Sequence, residues 1–472
     1  MRFPLLEHDK MTTTNETICA ISTAPGVGGI AVARISGPDA IAITNKIWRG
    51  QSLSEAKSHT AHLGTIIDTT DGSPLDQAVA TIFRGPRSFT GEDTVELAVH
   101  GSRYVQRRLL DILCMSGARL AEAGEFTRRA FTNGRLDLAQ AEAVADVIAS
   151  KSRSAHRIAM TQMRGGFSQR LAQLRENLLE LASLLELELD FSEEDVEFAS
   201  RTKLSEIAGQ LNDEINRLHR SFAAGNAIKD GIPVAIIGTA NAGKSSLLNI
   251  LLGDDRAIIS DIPGTTRDTI EETIEVGDYL FRFIDTAGIR ETSDRIEQIG
   301  IDRSLKAIGK ARIVIAVVDA TAPLPDNILD QAAMAEHMII AINKTDLKAI
   351  NQETIERARL FADAHTNCNL IEISALTGLG IDNLQQTLLR SAESDAAAGT
   401  DDILVTNARH AQALAQAAES TARIIEGLSL QLPPDLIAQD VRQTIHHLSE
   451  ITGDISSSEI LATIFSRFCI GK

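Results

Sequence analysis

Gly238-Thr-Ala-Asn-Ala-Gly-Lys-Ser245 stands between an apolar run, Pro233 to Ile237, and a helical run, Ser246 to Leu252. A glycine-rich loop between a strand and a helix is the setting in which backbone N–H groups converge on phosphate oxygens. The residue types follow from that chemistry: the glycines permit the close approach, Lys244 reaches the β- and γ-phosphates, and the Ser245 hydroxyl ligates Mg²⁺. The loop residues Asn241, Ala242, Gly243, Lys244, Ser245 and Ser246 are therefore nucleotide-contact candidates.

Three further elements follow in order. Asp285, Thr286, Ala287 and Gly288 end an apolar run, where the aspartate can hold Mg²⁺ through water and the Gly288 N–H can sense a γ-phosphate. Asn343, Lys344, Thr345 and Asp346 end another, where one carboxylate can accept both the N1–H and the N2 amine of guanine; adenine offers no matching pair of donors. Ser374, Ala375 and Leu376 can cap the base edge. Four such elements in this order predict a GTPase. Between the first two lies a polar loop, Ser260, Asp261, Ile262, Pro263, Gly264, Thr265 and Thr266, in the place of a switch region; Thr266 is assigned to complete the Mg²⁺ shell with Ser245. Many small GTPases carry a glutamine just after the second element to orient the attacking water. Here that position is Ile289, which cannot hydrogen-bond water, so Glu291, Asp294 and Glu297 become candidates for the role. Asn241 stands beside the β/γ bridge, where an amide oxygen could ligate a monovalent cation in place of an arginine.

Outward from this loop, residues 231–389 alternate apolar strands with helical segments, the pattern of a parallel sheet wrapped by helices. Before it, residues 136–228 read as long helices, with Leu171, Leu174, Leu178, Leu181 and Leu185 at the 3-4 spacing of a packed seam. The acidic run Glu186 to Glu197 that follows reads as a solvated face rather than a metal site. After the α/β part, Ser391 to Thr400 reads as a linker, and Ala-rich helices then resume, with Ile437, Val441, Ile445 and Leu448 at helical spacing. Helices of one character on both sides predict an α/β GTPase domain, 229–391, inserted into a helical domain formed by 136–228 and 392–472. Residues 17–135 alternate short β-type runs with glycine-rich turns and one helical stretch, Arg103 to Cys114, predicting an N-terminal α+β domain over 1–135. The fold class is thus multidomain α/β.

Composition narrows the function. The chain has 472 residues and a net charge of −18, while residues 1–135 carry 15 basic and 14 acidic side chains. An acidic chain of this kind does not coat phosphate backbones, so any RNA contact must be local. The apolar runs are far shorter than the ~20 residues that cross a bilayer, and no signal peptide is recognisable, so the expectation is a cytoplasmic protein. Cys19, Cys114, Cys368 and Cys469 are spread singly, which excludes a disulfide scaffold and a structural zinc site.

The nucleotide set, inserted in helices, is preceded by Pro25-Gly-Val-Gly-Gly29, Arg34-Ile-Ser-Gly37, Ser88-Phe-Thr-Gly-Glu-Asp93 and Gly124-Glu-Phe126, and is followed by Phe468-Cys-Ile-Gly-Lys472. From about Thr17 onward the chain resembles the MnmE (TrmE) family of tRNA modification GTPases. The resemblance implies a homodimer built by an N-terminal domain that binds a tetrahydrofolate one-carbon derivative, with contacts falling on Arg34, Glu96, Arg135 and Lys472; Arg135 stands where a lysine is expected. It implies a flavin-dependent partner, MnmG, so that FAD enters only through that protein, and addition of an aminomethyl or carboxymethylaminomethyl group to C5 of the wobble uridine of certain tRNAs. It also implies potassium-dependent pairing of GTPase domains, with K⁺ ligated at Asn241, Ser260, Ile262 and Thr265, and Glu297 as the residue that orients water. Cys469 in the tail gains a role in modification chemistry by the same resemblance; by itself a lone cysteine reads as a small buried hydrophobe. The rival reading, a ribosome-assembly GTPase, lacks support, because no GXXG-bearing KH pattern and no second GTPase domain follow residue 391.

Overall fold

The computed structural model describes residues 16–190, 201–253, 272–284, 307–397, 403–455 and 457–466, together with Phe468 and Gly471. In chain order the strands are β1 (Ile18–Ile21), β2 (Gly28–Ser36), β3 (Trp48–Gly50), β4 (Thr60–Ile67), β5 (Pro74–Phe83), β6 (Thr94–Gly101), β7 (Arg119–Leu120), β8 (Ile232–Gly238), β9 (Glu272–Val276), β10 (Tyr279–Phe283), β11 (Ile313–Asp319), β12 (His337–Asn343) and β13 (Cys368–Glu372). The helices are α1 (Ala40–Lys46), α2 (Arg103–Met115), α3 (Glu125–Thr132), α4 (Leu138–Ala149), α5 (Arg153–Met163), α6 (Gly166–Asp190), α7 (Arg201–Asp230), α8 (Lys244–Leu252), α9 (Asp326–Ala332), α10 (Gln352–Ala364), α11 (Ile381–Ala397), α12 (Ala408–Ser429), α13 (Pro434–Thr452) and α14 (Ser458–Ser466). The chain divides into two compact units, residues 1–145 with 449–472, and residues 146–448. Among the described residues no helix is long and apolar enough to cross a membrane.

In the first unit seven strands form one sheet in the order β3-β4-β5-β6-β2-β1-β7, antiparallel except for the β1/β7 pair. Alternation along the strands decides its faces. Ala31, Ala33 and Ile35 of β2, Ala78, Ala80 and Ile82 of β5, and Val95, Leu97 and Val99 of β6 pack on Ile41 and Ile43 of α1 and Leu109, Ile112 and Leu113 of α2. The opposite face carries Arg34 and Glu96, which are direct cross-strand partners, and next to them the row Leu63, Val79, Ala98 and Val32. Leu63 and Val79 are exposed. The β-type runs of the sequence, Thr17 to Ile21, Ile30 to Ile35, Asp76 to Phe83 and Thr94 to Val99, are present as strands and Arg103 to Cys114 as a helix; α1, α3 and the strands β3, β4 and β7 are additional to them. The unit also holds a small core of Leu138, Ala141, Leu461, Phe465 and Phe468, which includes the chain's last helix.

The second unit is built on a six-stranded sheet ordered β13-β12-β11-β8-β10-β9. Five strands are parallel, and β9 closes one edge as an antiparallel hairpin with β10, a strand the sequence reading did not include. The central strands β11 and β12 are apolar runs because helices cover both faces: Ile313, Ile315 and Val317 enter one core, and Val314, Ala316 and Val318 the other. Leu171, Leu174, Leu178, Leu181 and Leu185 are buried, as their spacing requires. Two helical parts of the sequence meet here, since the Ser221 hydroxyl of α7 accepts the Val405 N–H at 3.1 Å and the Gln162 amide of α5 donates to the Leu404 carbonyl at 2.7 Å. The GTPase-type sheet is thus an insertion within helices. The linker reading of Ser391 to Thr400 is corrected: α11 continues through Ala397, with Ser391 and Ala392 buried. Alanine and serine there serve helix packing rather than chain flexibility. The acidic run Glu186 to Glu197 extends outside the described residues from 191 onward.

Candidate functional site

Three strand ends define the crevice. β8 ends at Gly238, where φ is +150° and a Cβ would collide with the Val317 carbonyl oxygen, so β8 and β11 reach their spacing only with glycine. The chain then turns through Asn241, left-handed at φ +61°, and Gly243, at φ +101°. Gly243 precedes α8 with no side-chain cap, which leaves the first N–H groups of the helix directed at the loop. A Cβ on Gly243 would strike the side-chain amide of Asn343.

That amide is the organising contact. Asn343 Nδ2 donates to the Ala242 carbonyl at 2.8 Å, and Asn343 Oδ1 accepts the Ala375 N–H at 2.9 Å. One buried side chain therefore joins the loop after β8, the end of β12 and the turn after β13. Thr345 strengthens the same junction, its N–H and its hydroxyl both donating to the Ile373 carbonyl at 3.3 and 2.9 Å. Lys344, left-handed at φ +66°, pairs with Asp319 at the end of β11. Burial by itself would raise the Asp319 carboxyl, but hydrogen bonds from Lys344 and Thr321 hold it below its ordinary value. Lys244 extends its ammonium back along the loop, donating to the Gly238 and Thr239 carbonyls at 2.9 and 2.8 Å, and burial lowers its pKa. Asp346 and Leu376 are exposed beside this junction, whereas Ser374 and Ala375 are buried. The arrangement offers backbone donors, the Lys244 ammonium and the exposed Asp346 carboxylate at the carboxyl ends of parallel strands, where open α/β sheets take ligands.

A second polar site lies in the first unit. The Arg34 guanidinium donates to Glu96 at 2.9 Å through Nε and at 2.8 Å through Nη2. It also stacks 5.3 Å from the Phe89 ring centroid and 5.6 Å from that of Phe126. The loop carrying Phe89 is held by Glu92, which accepts from the Ser36 hydroxyl at 2.8 Å and from Arg129 at 3.1 Å. Gly91 of that loop, at φ +80°, lies against the stem of Arg135, so Arg135 joins the same group. At the end of β1 the Ser22 hydroxyl donates to the Gly471 carbonyl at 3.0 Å, and a Cβ on Gly471 would collide with the Ile21 carbonyl. The C-terminal tail therefore reaches the strand that neighbours Arg34: Ala20 is the cross-strand partner of Arg34.

The model of the MnmE helical domain matches residues 138–469, and the model of the GTP-binding protein TrmE N-terminus matches residues 17–135. Proteins named tRNA modification GTPase MnmE are similar along the whole chain: the one from Parabacteroides distasonis is 51% identical over 466 residues, covering 97% of this chain and 100% of its own length. The chain belongs to the MnmE family. The Porphyromonas gingivalis MnmE is 49% identical, covering 97% of this chain and 98% of its own. Among solved structures, the G domain of the T. maritima FeoB iron transporter is 25% identical, covering 34% of this chain and 98% of its own with a TM-score of 0.25. A variant of Aquifex aeolicus Era bound to GDP.AlF4- is also 25% identical, covering 40% and 66%, with a TM-score of 0.27.

Several residues named from the sequence of this MnmE-family chain fall outside the described residues: Ser260, Asp261, Ile262, Pro263, Gly264, Thr265, Thr266, Asp285, Thr286, Ala287, Gly288, Glu297, Cys469 and Lys472. Others were missed. Asp319, which holds Lys344, left only the faint signal of Asp319-Ala-Thr321 after an apolar run, the signature of a side chain closing its own turn. Phe89 and Phe126, the rings that flank Arg34, stood inside quoted motifs but carried no charge to draw notice.

Proposed function

We propose that this chain binds and hydrolyses GTP in the course of tRNA modification, as the name of its relatives states for them, and that the base modified is the wobble uridine. The observation that carries the reading is the Asn343 amide joining the phosphate-type loop to the two base-side turns, within a chain of MnmE-family sequence from end to end. The donor set fits a nucleotide triphosphate. Backbone N–H groups of residues 241–246 and the Lys244 ammonium would hold its phosphates, Asp346 its guanine edge, and Ser374 to Leu376 the outer side of the base. Ser245 with Thr266 would hold Mg²⁺, which offsets charge developing on the phosphates when bound. Asp285 and Gly288 are assigned to the same γ-phosphate end from their place in the sequence.

Asn241 is exposed and backbone-strained at the mouth of the loop, which suits a side chain held out to a ligand. We assign it to K⁺, together with Ser260, Ile262 and Thr265, and assign Glu297 to orienting the attacking water in place of the apolar Ile289. The test is GTP turnover with K⁺ against Na⁺. A strong rise in K⁺ that Asn241→Ala removes is expected, and equal rates in both salts would refute the assignment.

The second site supports a folate one-carbon donor. Arg34 and Glu96 form a charge pair that would meet donors and acceptors of a pterin, the partly exposed ring of Phe89 would supply a flat apolar wall with the buried Phe126 backing Arg34, and Arg135 with Lys472 would supply charge for carboxylates. The seating of Gly471 beside β1 supports a role for the tail, including Cys469, at that site. The exposed apolar row of Leu63 and Val79 on the same sheet face supports a homodimer through the N-terminal unit. A flavoprotein partner of the MnmG type, bringing its own FAD, and a cytoplasmic setting complete the proposal.

A further inference from the structure

Between Asp146 and Glu176 the sequence runs for 29 residues with six Lys or Arg and no Asp or Glu, in a chain whose net charge is −18. Helix α5 occupies the middle of this stretch. Its inner side is apolar, with Ala155, Ile158 and Ala159 buried, and its outer side lines a cavity of about 420 Å³ with Arg153, His156, Arg157 and Arg164. Arg153 pairs with Asp278, at 3.6 Å, the carboxylate among the lining residues. No ion pair is present for Arg157 or Arg164 among the described residues, and both are exposed. Helix stability does not account for this pattern. Lys151 and Arg153 stand at the N-terminal end of α5, where the helix dipole disfavours cations, and the first turn has no acidic residue.

We propose that this groove binds the phosphate backbone of the tRNA. The proposal rests on the tRNA reading above and gives that substrate a place on the second unit. Arg153 to Arg164 spans about 16 Å of helix axis at ~1.5 Å per residue, a length that meets several phosphates in a row. Arginine suits the role, since its planar fork donates to two phosphate oxygens at once. The net charge of −18 over the whole chain disfavours RNA contact outside such a basic strip.

The groove also has a mechanical neighbour. The Ser154 N–H and hydroxyl both donate to the Asp278 carbonyl, at 3.0 and 2.7 Å. Asp278 lies in the turn of the β9–β10 hairpin, which enters the sheet beside β8. RNA seated on α5 would therefore bear on the hairpin of the nucleotide-binding sheet.

The test is fluorescence anisotropy of an unmodified tRNA transcript with the full-length protein, titrated at several KCl concentrations. The double variant Arg157→Ala/Arg164→Ala should bind roughly tenfold more weakly, and its slope of log affinity against log salt should fall by about 1 to 2. Arg359→Ala, the same type of charge loss on α10, should leave both quantities at wild-type values. Asp278→Asn, which removes the carboxylate from the groove, should tighten binding by about threefold. Thermal melts show whether each variant is folded. Wild-type affinity and slope in the double variant, with normal tRNA binding by the parent, would overturn the groove and leave the tRNA reading standing. Absence of tRNA binding by the parent protein would overturn both.

Discussion

Glu125 shows what single residues of the N-terminal unit contribute. Its side chain is fully buried and accepts from Arg119 at 3.1 and 2.7 Å, from Arg129 at 3.0 Å and from the Glu122 N–H at 2.9 Å. Burial alone would raise the carboxyl, but these donors bring it down to about 2. A depressed carboxylate stabilises the fold above its unfolded value near ~4.5, and the contribution fades as pH falls through about 2. Glu125→Gln keeps the volume and removes the charge that the buried Arg129 and the partly exposed Arg119 guanidinium groups face. It should cost about 2–3 kcal/mol at pH 7, read by thermal unfolding, and the difference from wild type should shrink as pH falls toward about 3. A constant difference across that range would contradict the ionic account. Gly124-Glu-Phe126 was visible as a motif, but its purpose was not. The partners of Glu125 come from Arg119, Arg129 and the Glu122 backbone, and Phe126 on α3 packs against Arg34 on β2, a meeting that only the folded unit creates.

Among elements, α7 and the segment before α12 approach closely at Gly225, where a Cβ would collide with the Val405 carbonyl. Gly225→Ala would favour an isolated helix by about 1 kcal/mol, yet here it should destabilise the second unit by roughly 2 kcal/mol, because a backbone carbonyl cannot step aside as a side-chain tip can. Urea unfolding gives the sign, and a stabilised variant would show that the two segments do not pack as described. The elements legible in the sequence were those with a period or a contiguous motif: the leucine seam of α6, the apolar central strands and the phosphate-type loop. Short elements were not. α1 has seven residues and β7 two, too few to display a period. The Ser391 to Thr400 stretch misled for a different reason, since small residues serve both linkers and buried helix faces, and only the packing of Ser391 and Ala392 distinguishes the two. Asp319 escaped because its role depends on Lys344, which lies on the neighbouring strand's end.

For the molecule as a whole, the nucleotide site and the proposed folate site draw on different residues. The loop, base and Asn343 contacts all lie within residues 146–448, whereas Arg34, Glu96 and the tail contact at Gly471 belong to the other unit. Deleting residues 468–472 should therefore leave GTP turnover largely intact while uridine modification fails, because misplacing a reacting group by ~1 Å can cost about a hundredfold. Full modification by the shortened protein would remove the tail from the mechanism. The central claim, that the GTPase site drives a tRNA modification, is tested most directly by nucleoside analysis of tRNA from cells lacking the protein, complemented with the wild type or with Lys244→Ala. The account predicts that the C5-substituted wobble uridine is absent in the null strain, restored by the wild type and not restored by Lys244→Ala; an unchanged nucleoside profile in the null strain would contradict it.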